Sequence, residues 1–101
     1  MSYEQVDSVI AAWGERNGLT LFTGVEGDAH SDVRAVYLSS AVGECCQIWI
    51  DAPEAGMVSI HAADVESRFD EEMHQDWCVP VAELGSALDL AIAHVHKWFQ
   101  R

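Results

Sequence analysis

The chain has 101 residues, 50% of them apolar, and sets 17 aspartates and glutamates against 5 lysines and arginines, for a formal charge of −12. That length accommodates one hydrophobic core and no second domain, and the apolar content excludes an acidic disordered tail. A field of this sign excludes nucleic acid and anionic membrane as partners and speeds encounter with basic proteins.

The opening residues MSYEQVDSVIAAW contain no basic n-region and are expected to be helix, not a secretory signal. Val6, Val9, Ile10 and Trp13 fall at i, i+3, i+4 and i+7, which makes one apolar stripe. Ser2 with Gln5 fits a capping box, so a helix is predicted over roughly residues 3–16. Asn17-Gly18 then offers a left-handed stop, and LTLFT reads as a first strand. GVEGDAHSD reads as a polar turn, VRAVYLSS as the second strand, AVGE as a tight connection and CCQIWID as the third strand; APEAG turns the chain into MVSIHAADVES, the fourth.

DWCVPV is either a short fifth strand or an extended lead-in, and Pro80, which lacks a backbone donor, suits it only to an edge. From about Val81 the spacing becomes helical again. Leu84, Leu88, Ala91, Ile92, Val95 and Phe99 form a stripe with Trp98 beside it, and Ser86 with Asp89 offers a capping box for a start near Gly85.

This order predicts a two-layer α+β domain: a four- or five-stranded antiparallel sheet with the N- and C-terminal helices packed on one face. Strand alternation assigns Val36, Leu38, Cys46, Ile48, Ile50, Val58, Ile60 and Ala62 to the helix-facing side. The other side receives Ala35, Tyr37, Gln47, Trp49, Asp51, Met57, Ser59 and His61. A tryptophan where solvent is expected, with a tyrosine and a histidine on neighbouring strands, marks a candidate interaction surface. Its occupant is the chain's own acidic stretch or Trp77 segment folded over it, a second copy stacked sheet on sheet, or a different protein.

Acidic charge peaks in DVESRFDEEMHQD, residues 64–76, where six carboxylates accompany Arg68 alone. The ordinary reading of such a run is a solvated loop; the functional reading makes Asp70, Glu71 and Glu72 steering charges for a basic partner. Three cysteines, with Cys45 and Cys46 adjacent, point to free thiols in a reducing compartment. With no apolar window long enough to span a bilayer, a cytoplasmic location is expected.

Chemistry finds little purchase in this sequence. No C-x-x-C or H-x-x-x-H pair occurs, and His94 and His96, two apart on a helix, point to different sides. Asp70, Glu71 and Glu72 lack the alternating spacing and central glycine of a calcium loop. Cys78 or Cys45 with His61 or His74 is a formal nucleophile-and-base pairing, but no strained turn presents either thiol at a helix N-terminus. No glycine run cradles a phosphate. No metal, cofactor or catalytic activity is therefore expected.

In size, charge and layout the chain resembles small acidic bacterial immunity proteins, which neutralise a secreted toxin by covering its basic active site. It also resembles, more distantly, acidic secretion chaperones, homodimers that hold an effector segment but are longer and place a helix between strands. No motif carries either likeness, so no residue role is transferred. The expectation is a protein-binding domain with a basic protein partner and with Tyr37, Trp49, His61, Asp70, Glu71, Glu72 and Trp77 as partner-binding residues. The alternative is a non-catalytic homodimer or a housekeeping domain of another role.

Overall fold

In the computed structural model, which describes residues 3, 6–25, 28–41, 43, 45–64 and 74–100, the first helix, α1, spans Asp7–Arg16. Ahead of it, Tyr3 is tied both to the helix start and to the sheet. The Tyr3 carbonyl accepts the Val6 and Asp7 amides at 2.9 and 2.8 Å, and its buried hydroxyl donates to the Ile50 carbonyl at 3.0 Å. The expected Ser2–Gln5 box lies outside the described residues; the N-cap position is Val6, with no side-chain cap. Asp7 instead supplies negative charge to the first turn, where the helix dipole favours it. It accepts a hydrogen bond from Arg34 Nε at 2.7 Å, and the Arg34 guanidinium lies over the Tyr3 ring, 4.2 Å from its centroid.

The stop at Asn17-Gly18 has the expected chemistry. Gly18 takes φ +66°, its amide donates to the Glu15 carbonyl, and the Leu19 amide reaches back to the Gly14 carbonyl at 2.8 Å. These two bonds make a Schellman motif, and half-buried Leu19 packs on the core beneath it.

Five strands follow: β1 Phe22–Val25, β2 Asp28–Ser39, β3 Cys45–Ile50, β4 Met57–Asp64 and β5 His74–Pro80. They pair in chain order as one antiparallel meander. The fifth strand therefore exists, and it lies at the sheet edge that Pro80 requires. The nine-residue turn expected at residues 24–32 is corrected: β2 begins at Asp28 and pairs with β1 across irregular register. DAHSD shows no apolar alternation, but ladder bonds use the backbone, which polar residues supply equally well.

The connection between β3 and β4 reverses at a two-residue turn. Ala55 and Gly56 sit at φ +53° and +79°, and Glu54 and Met57 exchange both backbone hydrogen bonds. That is the primed turn whose twist matches a hairpin.

A 3₁₀ turn over Val81–Glu83 leads from β5 into α2, Leu84–Phe99. The capping box expected from Ser86 and Asp89 is corrected: Glu83 is the N-cap, Ser86 lies inside the helix, and Asp89 pairs with Arg16 of α1 at 3.0 Å. Leu84, Leu88, Ala91, Ile92 and Val95 are buried as predicted, while the last turn buries Trp98 and leaves Phe99 half-exposed.

Both helices cover the same face of the sheet. Val6, Ile10 and Trp13 of the N-terminal segment share one core with the α2 stripe and with the predicted inward set Val36, Leu38, Cys46, Ile48, Ile50, Val58, Ile60 and Ala62. The Trp13 indole N–H is buried there with no hydrogen-bond acceptor among the described residues. No helix among the described residues is long and apolar enough to cross a membrane.

Candidate binding face

The face of the sheet turned away from the helices carries a cross-strand row that reaches across all five strands. Phe22 pairs with Ala35, Ala35 with Trp49, Trp49 with His61, and His61 with Asp76, one residue from each strand. At about 4.8 Å per strand, this row is roughly 19 Å long. Alternation explains the composition: Trp49 and His61 lie out of phase with Ile48, Ile50 and Ile60, which the core holds inward.

One end of the row is apolar. Phe22 and Tyr37 meet edge to face at 5.4 Å and remain 46% and 44% exposed. Ala35 is buried on this side of the sheet, between its partners Phe22 and Trp49. Phe22 escapes a strand-by-strand reading because its face depends on the irregular pairing of β1 with β2.

The other end is ionic. His61 Nδ1 lies 2.6 Å from Asp76 Oδ1, and Nε2 lies 2.8 Å from Asp51 Oδ2. The Asp51 amide donates to the Ser59 carbonyl at 2.9 Å, which extends the ladder one residue past β3 and holds that carboxylate beside His61. His74 Nε2 reaches the same Asp76 oxygen at 3.0 Å. Trp49 stacks on the His61 ring, centroids 5.0 Å apart and planes 19° from parallel, and meets His74 edge-on at 6.2 Å.

Protonation follows from this geometry. Partial burial alone would disfavour a charged His61, but the hydrogen bonds and charges of Asp76 and Asp51 outweigh it and hold the ring above its ordinary value of 6.5. Asp76 is held below its ordinary 3.8, chiefly by the hydrogen bond from His61, with His74 adding to it.

Three of the sequence-predicted residues, Tyr37, Trp49 and His61, thus share this face. Trp77 does not. It pairs with Ile60, which points inward, and packs on the helix side against His94 at 5.7 Å, with Trp98 beyond at 4.8 Å from His94. The expectation that the Trp77 segment folds over the open face is corrected: β5 extends the sheet and puts this ring on the opposite side. Asp70, Glu71 and Glu72 lie outside the described residues. The chain leaves β4 at Asp64 and re-enters at His74, which follows directly on the pairing of Ala63 with His74.

The described residues also carry a charge asymmetry. Arg16 and Lys97 are on the helices, and Arg34 lies on the helix side of β2, while Asp51 and Asp76 are exposed on the open face. Among the described residues that face has no lysine or arginine.

As chemistry, the cluster is closed on itself. Both ring nitrogens of His61 face carboxylates, which leaves neither to take a proton from the exposed Cys78 thiol two residues along from Asp76. Cys45, Cys46 and Cys78 form no disulfide. Among the described residues no group of three or more His, Cys, Asp and Glu side chains is arranged to hold a metal ion. No protein-family model, curated protein or solved structure matches this chain.

Proposed function

We propose that this chain is a small acidic protein-binding domain whose open sheet face holds a basic partner, in the manner of an immunity-type inhibitor that covers a basic site. The observation that carries the reading is the composition of that face: three aromatic rings, Phe22, Tyr37 and Trp49, share it with exposed Asp51 and Asp76, and no lysine or arginine lies there among the described residues. Aromatic side chains give large buried area at small conformational cost, which is why they dominate binding energy once a complex has formed. Carboxylates act earlier, by steering encounter. The overall charge of −12 extends that steering field beyond the face itself. Self-stacking would set this acidic face against its own copy, so the charge favours a foreign basic partner over a homodimer.

The test is affinity capture from the native cell with three baits: wild type, the double variant Tyr37→Ala/Trp49→Ala, and Leu90→Lys on the exposed side of α2. A basic protein retained by wild type and by Leu90→Lys but lost from the double variant is the expected result. Equal retention by all three baits, or no specific retention by any, refutes the reading. Sedimentation of the purified protein as a dimer that Trp49→Arg converts to a monomer would transfer the face to self-association.

A further inference from the structure

We propose that His61 is a proton-operated clip for the open face: charged, it ties the end of β3 to β5 through Asp51 and Asp76 and masks part of their charge; neutral, it releases both carboxylates to a cationic partner. The clip itself stands on the protein alone. Its consequence for binding rests on the reading of this face as the site for a basic partner.

The geometry leaves few other roles for this side chain. Its two nitrogens lie 2.6 and 2.8 Å from carboxylate oxygens on two different strand segments, and only the imidazolium has a proton to donate from each. A neutral ring, in either tautomer, turns a lone pair toward one of the two carboxylates. Trp49 covers one flat side of the ring, a contact that favours a cation. The groups facing His61 can be named element by element. Asp51 and Trp49 come from β3 and its extension, and Asp76 comes from β5. His74 shares the Asp76 oxygen, and the flanking residues of β4 on this face, Ser59 and Ala63, are uncharged. The anionic groups in direct contact therefore both favour the protonated ring, and His74 competes for one oxygen of Asp76.

The clip is closed on the acid side of the His61 midpoint, which its carboxylates hold above the ordinary histidine value. It opens from one side as rising pH removes the ring proton and from the other as falling pH protonates Asp76. Opening at high pH adds one negative charge to the face. A basic partner is then bound more tightly, and by linkage its binding expels the proton.

The experiment is a heteronuclear NMR titration of the His61 ring and the Trp49 indole N–H in wild type, Asp51→Asn, Asp76→Asn and His61→Gln, with a hexa-arginine peptide as cationic probe. NMR is required because His94 lies between Trp77 and Trp98, which confounds tryptophan fluorescence. In wild type, His61 is expected to carry protons on both nitrogens below a midpoint above 6.5. Trp49 should follow the same curve, and each Asn variant should move the midpoint down. The peptide should perturb Trp49 and bind roughly twofold to fivefold more tightly above the midpoint than below it, the range of one exposed charge contact; His61→Gln should abolish that difference. A midpoint at or below 6.5, or one that neither Asn variant moves, overturns the clip. Equal peptide affinity on both sides of the midpoint overturns the coupling and leaves the binding face standing. A normal His61 titration with no peptide-induced change at Trp49 at any pH overturns the cationic-partner reading and leaves the clip standing.

Discussion

Asp76→Asn isolates the electrostatic contribution of the clip to stability, because the amide keeps the shape and an acceptor oxygen while losing the charge. The side chain of Asp76 is 57% exposed and that of His61 only 22%. Exposed ion pairs contribute about 0.2–1 kcal/mol, and the more sheltered ring places this one near the upper end, about 1 kcal/mol. The sign of its pH dependence follows from linkage. His61 is raised in the folded state, so its contribution is complete below the unfolded value of 6.5 and is lost as pH rises through the folded midpoint. Asp76 is lowered, so its contribution is present above 3.8 and is lost as pH falls through its folded value. The window lies between them. Urea denaturation should therefore find the variant about 1 kcal/mol less stable at about pH 5.5, or some 4–8 °C lower in Tm for a domain of this size. At about pH 9.5 the difference should vanish or reverse, since removing one of two unshielded carboxylates then relieves repulsion. The same deficit at both pH values would show that Asp76 acts by packing or backbone geometry and would refute the electrostatic account.

Four further outcomes follow from other residues. Ala55→Asn should stabilise by about 0.5–1 kcal/mol in urea denaturation, because Ala55 is a non-glycine residue in the left-handed region and Asn-Gly is the preferred primed-turn pair; a lower midpoint would contradict the turn assignment. Leu88→Ala in the core should cost about 2–5 kcal/mol, whereas Leu90→Ala two residues on, 60% exposed, should change stability by less than about 0.5 kcal/mol. Comparable losses would mean that α2 does not turn Leu88 inward and Leu90 outward. With a captured partner in hand, Asp70, Glu71 and Glu72 changed together to Asn or Gln should slow association at low salt and matter little above about 0.5 M. Trp49→Ala should speed dissociation at every salt, by about tenfold or more.

The two-layer architecture was legible because it rests on local periodicities. A stripe at i, i+3, i+4 and i+7 cannot be buried except as one side of a helix, and residues two apart such as Cys46, Ile48 and Ile50 cannot share a core except from one side of a strand. The same alternation placed Tyr37, Trp49, Asp51 and His61 on the face opposite the core, and the structure has them there. Polar DAHSD hid the first half of β2 because its pairing needs only backbone groups.

What alternation within a strand cannot supply is register across a long connection. Residues 65–73 separate β4 from β5, and a shift of one residue between those strands would exchange Asp76 and Trp77 between faces. Only the tertiary pairing of His61 with Asp76 and Ile60 with Trp77 sends the carboxylate to the open side and the indole to α2. The clip depends on the same kind of information. Asp51, His61 and Asp76 are ten and fifteen residues apart along the chain, and their charges come within hydrogen-bonding distance because antiparallel pairing brings β3, β4 and β5 side by side. Hydrophobic burial, a property of single residues in a period, is written along the sequence; the pairing of polar groups, a property of residues brought together from different strands, is decided by the fold.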